Sequence, residues 1–320
     1  MTRTKPSAAE LDAQIRQAEL AAYGHYGLAP TEKIVAVASP LGRVDVRVSI
    51  FGPEDCSGPP PVLLMHGIAS VSVIAAQVVA ALPGRRVIAV DWPGHGLSGS
   101  SVLPPGWAFR SYVVSVLRAL LDVLELGEID IVGHSMGAQF ALYAGLDLPT
   151  RLRRLVLLGA PGASFAGVRP SALMITLAMP RLGPRLLRIP MSPKAFVRNN
   201  EKMLGEGALR GLPPELTTAA HLIGTRETFA PSVASYFRAL IRRATVRTAV
   251  TISTEELALL RQPALFLWGG ADVFMRPADA IEFVAAIPHG TLVTLPGAGH
   301  APWLQRPDVV GRAVAEHLAG

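Results

Sequence analysis

A serine between two glycines stands in residues 133–137, which read Gly-His-Ser-Met-Gly. Residues 128–132 form a short apolar run typical of a buried strand, and residues 138–148 carry apolar residues at helical spacing. On such a strand-to-helix turn the serine hydroxyl projects above the edge of a sheet, and the glycines relieve the crowding of the bend. Because a G-x-S-x-G pattern alone is weak evidence, its chemistry depends on which other groups reach the same edge.

Two later loops supply the groups that a serine nucleophile needs. A serine hydroxyl requires a neighbouring base, normally His, and that base requires a carboxylate to hold its tautomer. Asp272 follows a predicted strand at residues 264–268, and His300 follows one at residues 291–295. Catalytic groups of open α/β sheets gather at the carboxyl ends of strands, so Ser135, Asp272 and His300 are the predicted triad. The alternative for Asp272 is a helix-capping role.

Backbone N–H groups near the serine are the predicted donors to the oxyanion of a tetrahedral intermediate. The N–H of Met136, at the start of the helix after the serine, is one of them. The other is expected from the loop after the apolar strand at residues 62–65, which reads His-Gly-Ile-Ala. The N–H of Ile68 is the first choice and that of Ala69 the second.

Strands and helices alternate around these loops. The apolar runs lack the polar alternation of a half-exposed sheet, so they predict a mostly parallel sheet covered by helices on both faces. An antiparallel pair at residues 33–38 and 43–51 precedes it. The other predicted strands are residues 62–65, 86–90, 129–132, 155–158, 264–268 and 291–295, and the predicted helices are residues 70–82, 110–126, 278–286 and 307–319 besides the one that follows Ser135.

The alternation is interrupted between residues 163 and 255, where the sequence predicts helices and no strand. An insert that leaves the sheet and returns to it predicts a cap over the edge that carries the serine. The predicted organisation is an N-terminal helical extension (residues 1–30), an α/β core (residues 31–162 and 256–320) and a helical cap (residues 163–255). Four methionines are expected to pack in the core of the cap, where some of them could line an apolar pocket: Met174, Met179, Met191 and Met203.

The net charge of +6 is concentrated in the insert, which has 13 Lys and Arg residues against 5 Glu residues. A solvated helical surface is the main interpretation, with an anionic ligand or a membrane surface as alternatives. No nucleic-acid recognition motif accompanies the charge, so a nucleic-acid partner is not expected. His221, also in the insert, is expected at the surface.

Cellular context is predicted from the chain's single cysteine and its N-terminal residues. Cys56 has no partner for an intrachain disulfide, which fits a reducing compartment. Residues 1–22 predict an amphipathic helix with Leu11, Ile15, Ala18 and Ala22 on one face, not a signal peptide. The most apolar stretch, residues 171–190, is broken by Pro and Arg, so no membrane span is predicted. A cytoplasmic location is expected.

Five motifs in this order resemble the capped α/β-hydrolase superfamily. That resemblance implies an eight-stranded, mostly parallel sheet, a helical cap between its sixth and seventh strands, and Ser135, Asp272 and His300 as the triad. The motifs are the His-Gly loop at residues 66–67, the D-x-P-G-x-G-x-S loop at residues 91–98, the serine turn at residues 133–137, the acid loop at residues 269–272 and the histidine loop at residues 299–302.

Some positions depart from the family pattern. Ala138 stands where a further glycine is frequent, and Gln305 stands where Glu is frequent, which predicts a weaker structural contact. Relatives that attack haloalkanes or epoxides carry Asp in place of Ser135, so neither activity is expected. Supporting structural roles are predicted for other polar residues near the motifs: His66, Asp91, His95 and His134.

The predicted activity is hydrolysis of a lipophilic carboxylic ester through an acyl-enzyme, without metal or cofactor; an anionic group on the substrate is a further option. C–C bond hydrolysis is an alternative, although such relatives commonly carry Asn where His134 stands and an aromatic residue where Ala301 stands. Cofactor-free haloperoxidase or perhydrolase activity, a non-hydrolytic cyclase or lyase, and a pure binding protein are the others. The sequence leaves the oligomeric state open.

Overall fold

The structure, a computed structural model, describes residues 6–53 and 58–320, so Cys56 lies outside the described residues. Ten strands are present in that part of the chain: β1 (Thr31–Ser39), β2 (Gly42–Phe51), β3 (Val62–Met65), β4 (Val87–Val90), β5 (Ile129–His134), β6 (Leu152–Leu158), β7 (Ile241–Arg242), β8 (Thr245–Val246), β9 (Ala264–Gly269) and β10 (Gly290–Leu295).

Eight of these strands form one sheet in the order β1-β2-β4-β3-β5-β6-β9-β10. Strand β2 pairs antiparallel with β1 and with β4, and every other pairing in the sheet is parallel. All residues of β3, β4, β5 and β9 are buried, as expected for strands covered on both faces. The predicted α/β fold with an eight-stranded, mostly parallel sheet is therefore confirmed.

Helices cover the sheet, and none in the described residues is long and apolar enough to cross a bilayer. In chain order they are α1 (Ala8–His25), α2 (Ala76–Ala80), α3 (Phe109–Val123), α4 (Met136–Asp147), α5 (Ala172–Leu177), α6 (Leu182–Leu187), α7 (Pro193–Leu204), α8 (Pro214–Ile223), α9 (Phe229–Leu240), α10 (Thr254–Leu257), α11 (Pro277–Ala285), α12 (Pro302–Gln305) and α13 (Pro307–Ala319).

The insert, residues 163–255, lies between β6 and β9, the sixth and seventh strands of the sheet. The prediction that it contains no strand is wrong, because β7 and β8 form a small antiparallel hairpin. Two residues per strand are too few to show a period in the sequence. The prediction that its methionines form a core is wrong for Met179 and Met191, which are 45% and 44% exposed. The helices there are short and turn at prolines, so apolar residues alone did not define a buried face.

Both ends of the insert are fixed to the core by one buried side chain of α4. Gln139 accepts a hydrogen bond from the N–H of Ala163 (3.1 Å) and donates one to the carbonyl of Val250 (3.0 Å). The two connecting segments also bond to each other, since Ile252 N–H donates to Ser164 O at 2.7 Å. Gln139 is fully buried, so these two bonds, and a third from its nitrogen to the Tyr143 hydroxyl at 2.8 Å, are made away from water.

The N-terminal helix α1 is joined to the sheet by a buried charge cluster. Arg47 on β2 binds Glu19 of α1 (2.7 Å) and Asp91 after β4 (3.1 Å), and all three side chains are nearly inaccessible to water. Burial raises the pKa of Glu19 to about 8, and the charge of Arg47 only partly opposes this effect. At neutral pH the cluster therefore holds a neutral Glu19 beside the Arg47–Asp91 ion pair.

Replacing Glu19 by Gln is expected to make the protein more stable in alkali. Because the pKa of Glu19 is raised on folding, the folded state keeps a proton that the unfolded chain loses, so wild-type stability falls as pH rises from about 4.5 to about 8. The glutamine of the variant cannot ionise, so the variant does not lose stability in this way. Urea unfolding should give nearly equal free energies of unfolding at about pH 5. By about pH 9 the variant should be ahead by at least about 1 kcal/mol.

Glu32→Gln is the matched control, because Glu32 binds the same guanidinium at 3.2 Å but its side chain is 31% exposed. This control should keep the wild-type pH profile. Parallel profiles for wild type and Glu19→Gln would contradict a neutral, buried Glu19.

Candidate active site

Ser135 occupies the turn between β5 and α4, at the carboxyl edge of the sheet. Its backbone is at φ +52° and ψ −112°, a region that side-chain-bearing residues rarely adopt. The bend brings backbone atoms so close that a Cβ on Gly133 would clash with the backbone of Gly137, and one on Gly137 would clash with Met65 O. Both glycines are therefore sterically required, and the strained turn holds Ser135 above the strand ends.

Asp272 and His300, predicted from loops 28 residues apart, are in direct contact. The Asp272 Oδ2 atom lies 2.8 Å from His300 Nδ1 and also accepts the N–H of Ala160 at 2.9 Å. The other carboxylate oxygen, Oδ1, accepts the N–H of Phe274 at 2.9 Å. Both side chains are buried, with 0% and 5% of their surface exposed. Backbone donors therefore fix the carboxylate that orients the imidazole.

The surroundings of Asp272 keep its carboxylate ionised. Burial acts to raise the pKa of Asp272, but the charge of His300 and the hydrogen bonds from His300, Phe274 and Ala160 lower it below the ordinary value. An ionised carboxylate at this distance requires the proton of the imidazole on Nδ1. The Nε2 atom of His300 is then left with its lone pair, which is the tautomer of a general base.

Ser135 lies beside this pair. The N–H of Ser135 donates to Leu158 O at 3.3 Å. Gly159, which follows Leu158, lies against the imidazole, because a Cβ added to it would be 3.2 Å from His300 Nδ1. No hydrogen bond joins the Ser135 hydroxyl to the His300 ring within residues 6–53 and 58–320. In unliganded enzymes such contacts are often long and tighten only with substrate. The fold thus brings all three predicted residues to one edge, with two of them already bonded.

The predicted oxyanion donors lie on either side of Ser135. A Cβ on Gly67 would be 3.1 Å from Ser135 Cβ, so the loop after β3 runs directly against the serine. Ile68 follows in this loop, and Ala69 adopts a positive φ of +56° that turns the chain sharply. Met136 is the first residue of α4, where backbone N–H groups have no acceptor within the helix.

His66 and His134 are buried beside the site. Burial lowers the pKa of both, so both are neutral. His66 accepts the Trp92 N–H at 3.0 Å, which leaves its Nδ1 to donate to Gly67 O at 2.7 Å. His134 Nε2 lies 3.2 Å from His300 O, and the two rings are 4.8 Å apart. Through these contacts His66 packs with the loop after β3, and His134 packs with the histidine loop.

Gln305 makes two contacts with a single amide. Its oxygen accepts the Gly299 N–H at 2.6 Å, and its nitrogen donates to Glu206 O at 2.9 Å. The donation to Glu206 is a contact that a carboxylate could not make, whereas a weaker contact than Glu would make with Gly299 stays a prediction. The bond between Ala301 N–H and Leu204 O (3.0 Å) lies at the same junction. Together they fix the histidine loop to the end of α7.

Sequence reasoning missed two residues at the site. Gln139 had a signal, since it is a polar side chain on an otherwise apolar stretch of α4 next to the serine turn. Phe274, whose ring centre lies 4.3 Å from that of His300, had none. His221 contacts Met191 O (2.9 Å) and no residue of the triad. The described residues contain no group of three His, Cys, Asp or Glu side chains that could hold a metal ion.

A family model, the alpha/beta hydrolase fold, matches residues 60–307, which is most of the chain. This range contains the strained serine turn and the Asp272–His300 pair. The chain belongs to the α/β-hydrolase fold family, and the protein is a serine-hydrolase-type enzyme of this fold.

Relatives of the chain include hydrolases of two kinds. A pimeloyl-[acyl-carrier protein] methyl ester esterase of Xanthomonas oryzae pv. oryzae is 29% identical over 264 residues, 81% of this chain and 95% of that protein. A 2-hydroxy-6-oxo-2,4-heptadienoate hydrolase of Pseudomonas putida is 39% identical over 111 residues, 33% of this chain and 39% of that protein. Among solved structures, a carboxylesterase of Bacillus subtilis superposes with a TM-score of 0.76 at 19% identity, covering 97% of this chain and 99% of that one.

Proposed function

We propose that the protein hydrolyses a lipophilic carboxylic ester through an acyl-enzyme on Ser135. The observation that carries the proposal is the buried Asp272–His300 pair, 2.8 Å between heavy atoms, at the edge where the strained turn presents Ser135. An acyl-enzyme mechanism needs a base oriented by an ionised carboxylate beside a nucleophilic serine, and this edge of the sheet supplies each of these groups.

In the proposed reaction His300 Nε2 removes the hydroxyl proton of Ser135 while the serine oxygen attacks the ester carbonyl. Asp272 stabilises the imidazolium that forms, and His300 then gives its proton to the departing alcohol. Water, deprotonated by His300, attacks the acyl-enzyme and releases the acid. Each proton transfer by such a group typically accelerates a step by roughly 10² to 10⁴-fold.

The N–H groups of Ile68 and Met136 are the proposed donors to the oxyanion. Donors that are fixed before the reaction stabilise the developing charge without reorganising, and one of them is typically worth about 3 kcal/mol. His66 supports this role indirectly, because its bond to Gly67 O holds the loop against the serine. Ile68 is the first choice of the two loop donors because it directly follows Gly67, where an added Cβ would be 3.1 Å from Ser135 Cβ.

A lipophilic substrate is proposed because the triad is shielded from water. Ser135, Asp272 and His300 are 8%, 4% and 4% exposed, and the ring of Phe274 covers His300. We propose that the insert, residues 163–255, is the helical cap that closes this site over the core formed by residues 31–162 and 256–320. The activity for which the Xanthomonas relative is named, hydrolysis of a pimeloyl methyl ester, fits the same chemistry. The cytoplasmic location stays a prediction.

The proposal is tested by a series of p-nitrophenyl esters and by a fluorophosphonate probe. We expect kcat/KM to rise from acetate to longer acyl chains, because each buried CH₂ contributes about 0.8 kcal/mol. Peptide mass spectrometry should locate the probe on Ser135. A second series with a terminal carboxylate on the acyl chain tests for an anionic substrate. A clear preference for acetate, or a probe on another residue, would contradict the proposal.

C–C bond hydrolysis is a second candidate because of the local similarity to the Pseudomonas putida hydrolase. A vinylogous diketone offered to the purified enzyme decides between the two. Cleavage of the diketone with no turnover of any ester in the series would favour the second candidate. Haloperoxidase, perhydrolase, cyclase and lyase activities remain alternatives suggested by the sequence alone.

A further inference from the structure

The outer side of the insert exposes apolar and basic side chains together. Among the described residues, 16 large apolar side chains are exposed, and 5 of them fall within residues 173–191. The other 11 are spread over the sequence between residues 20 and 309, and scattered exposed apolar residues are ordinary for a globular protein. We name this region the apolar–basic surface. Its apolar members are Leu173, Met179, Leu182, Ile189 and Met191, and its basic members are Arg181, Arg185, Arg188, Lys194 and Arg198.

The charge of the apolar–basic surface has one sign. The chain has no Asp or Glu from residue 148 to residue 200. In the described part of the chain, none of the five cations forms an ion pair with a carboxylate from another element. Their positive charge is therefore available to a partner.

The packing of the insert directs this surface outward. Helices α5 and α6 pack on α9, and α7 packs on α8, so the exposed side chains of these helices lie away from the packed interior. Ser135 is 8% exposed beneath the insert, whereas the five cations are all exposed. The cations are therefore placed for an external partner and not for an anionic group of a substrate at Ser135.

We propose that the apolar–basic surface docks on an anionic lipid bilayer. At the boundary between lipid headgroups and acyl chains, exposed apolar side chains enter the acyl layer. The aliphatic stems of Arg and Lys lie along that layer, and their charged groups bind the anionic headgroups. A second copy of the chain is a poorer occupant. An isologous dimer would bring five cations against their own copies, and Glu201 is the nearest acid to them in the sequence.

Docking would place the bilayer next to the cover of the active site. The end of α7 bonds to the histidine loop through Leu204 O and Ala301 N–H at 3.0 Å. A lipophilic substrate dissolved in the bilayer would then reach the insert without crossing water. The docking itself is independent of the proposed ester chemistry, so each can fail alone.

The test is co-sedimentation of the full chain with vesicles of ether-linked lipids, which contain no ester to hydrolyse. Phosphatidylcholine vesicles are compared with vesicles that also contain phosphatidylglycerol. We expect binding to the anionic vesicles alone, weakened by salt. Each cation near such a surface strengthens binding about fivefold, so Arg181→Glu/Arg185→Glu/Arg188→Glu should lower the partition coefficient by about a hundredfold or more. Leu182→Ser/Ile189→Ser should lower it by about tenfold.

Leu259→Ser/Arg261→Glu is the matched control, because both residues are exposed in another part of the fold. It should bind like wild type, and all variants should keep wild-type thermal unfolding and turnover of a soluble ester. No binding of the wild type, or unchanged binding of either surface variant, would overturn the proposal. So would a dimer in light scattering that Leu182→Ser/Ile189→Ser dissociates while vesicle binding is absent, which would identify a second copy as the occupant.

Discussion

Replacing Ser135 by alanine is expected to lower kcat/KM for the best ester of the series by about a millionfold. Losses of this size follow removal of the nucleophile from a comparable triad, because the remaining groups cannot form the acyl-enzyme. Labelling by the fluorophosphonate probe should disappear at the same time. The wild-type backbone at residue 135 has φ +52°, and alanine, which like serine carries a Cβ, meets the same strain in this turn. Thermal unfolding should therefore change little.

Ser164→Ala is the control for this experiment. Ser164 is also a buried serine, and its hydroxyl oxygen has no hydrogen-bond partner in the described residues. Turnover and labelling should match wild type. If Ser135→Ala kept more than about a hundredth of wild-type turnover, the acyl-enzyme mechanism would be wrong.

Replacing Asp272 by Asn is expected to lower kcat/KM by about 10⁴-fold with the fold intact. Both carboxylate oxygens accept backbone N–H groups, from Ala160 and from Phe274, so either orientation of the amide sets its NH₂ against a donor. If the NH₂ faces His300, the imidazole must carry its proton on Nε2. That tautomer cannot take the proton of Ser135. A lower kcat at all pH values, with KM little changed, is the expected result.

Asp279→Asn is the comparison for Asp272→Asn, because Asp279 is an exposed carboxylate on α11 that pairs with Arg276 at 2.8 Å. It should leave kcat/KM unchanged. Equal effects of the two substitutions would mean that Asp272 does not orient His300. Thermal unfolding would reveal a large loss of stability in Asp272→Asn. The rate at which the probe labels the folded fraction would then distinguish that loss of stability from a loss of catalysis.

The sheet and the serine turn could be predicted because local signals agree there. Unbroken apolar strands such as β3 and β9 are buried on both faces, and the glycines beside Ser135 are required by close backbone contacts. The predicted helix at residues 70–82 was less accurate. Its first turn, Ser72–Ala75, is a 3₁₀ helix, and α2 adds only five residues. Apolar periodicity does not distinguish these two kinds of helix.

Interactions between distant segments could not be predicted in the same way. Glu19 falls on the apolar face of α1, between Ile15 and Ala22, but the sequence does not show that Arg47 of β2 faces it. A charged residue on an apolar face predicts a buried partner without identifying it. The insert was the hardest part, since its helices are short and expose apolar side chains that periodicity assigns to a core.

The bonds of Gln139 constrain how a substrate could reach Ser135. Both connecting segments of the insert are held to α4 and to each other, so the base of the insert cannot leave the sheet without breaking buried hydrogen bonds. Passage of a substrate would require a more local separation of the insert from the rest of the fold. The junction between the end of α7 and the histidine loop, here called the seam, is held by few hydrogen bonds, chiefly those of Gln305 and Ala301. Opening that seam would disturb the loop that carries His300. The open state would then admit substrate but could not transfer protons, and the closed state could transfer protons but not admit substrate. Turnover would proceed only after the seam closes again.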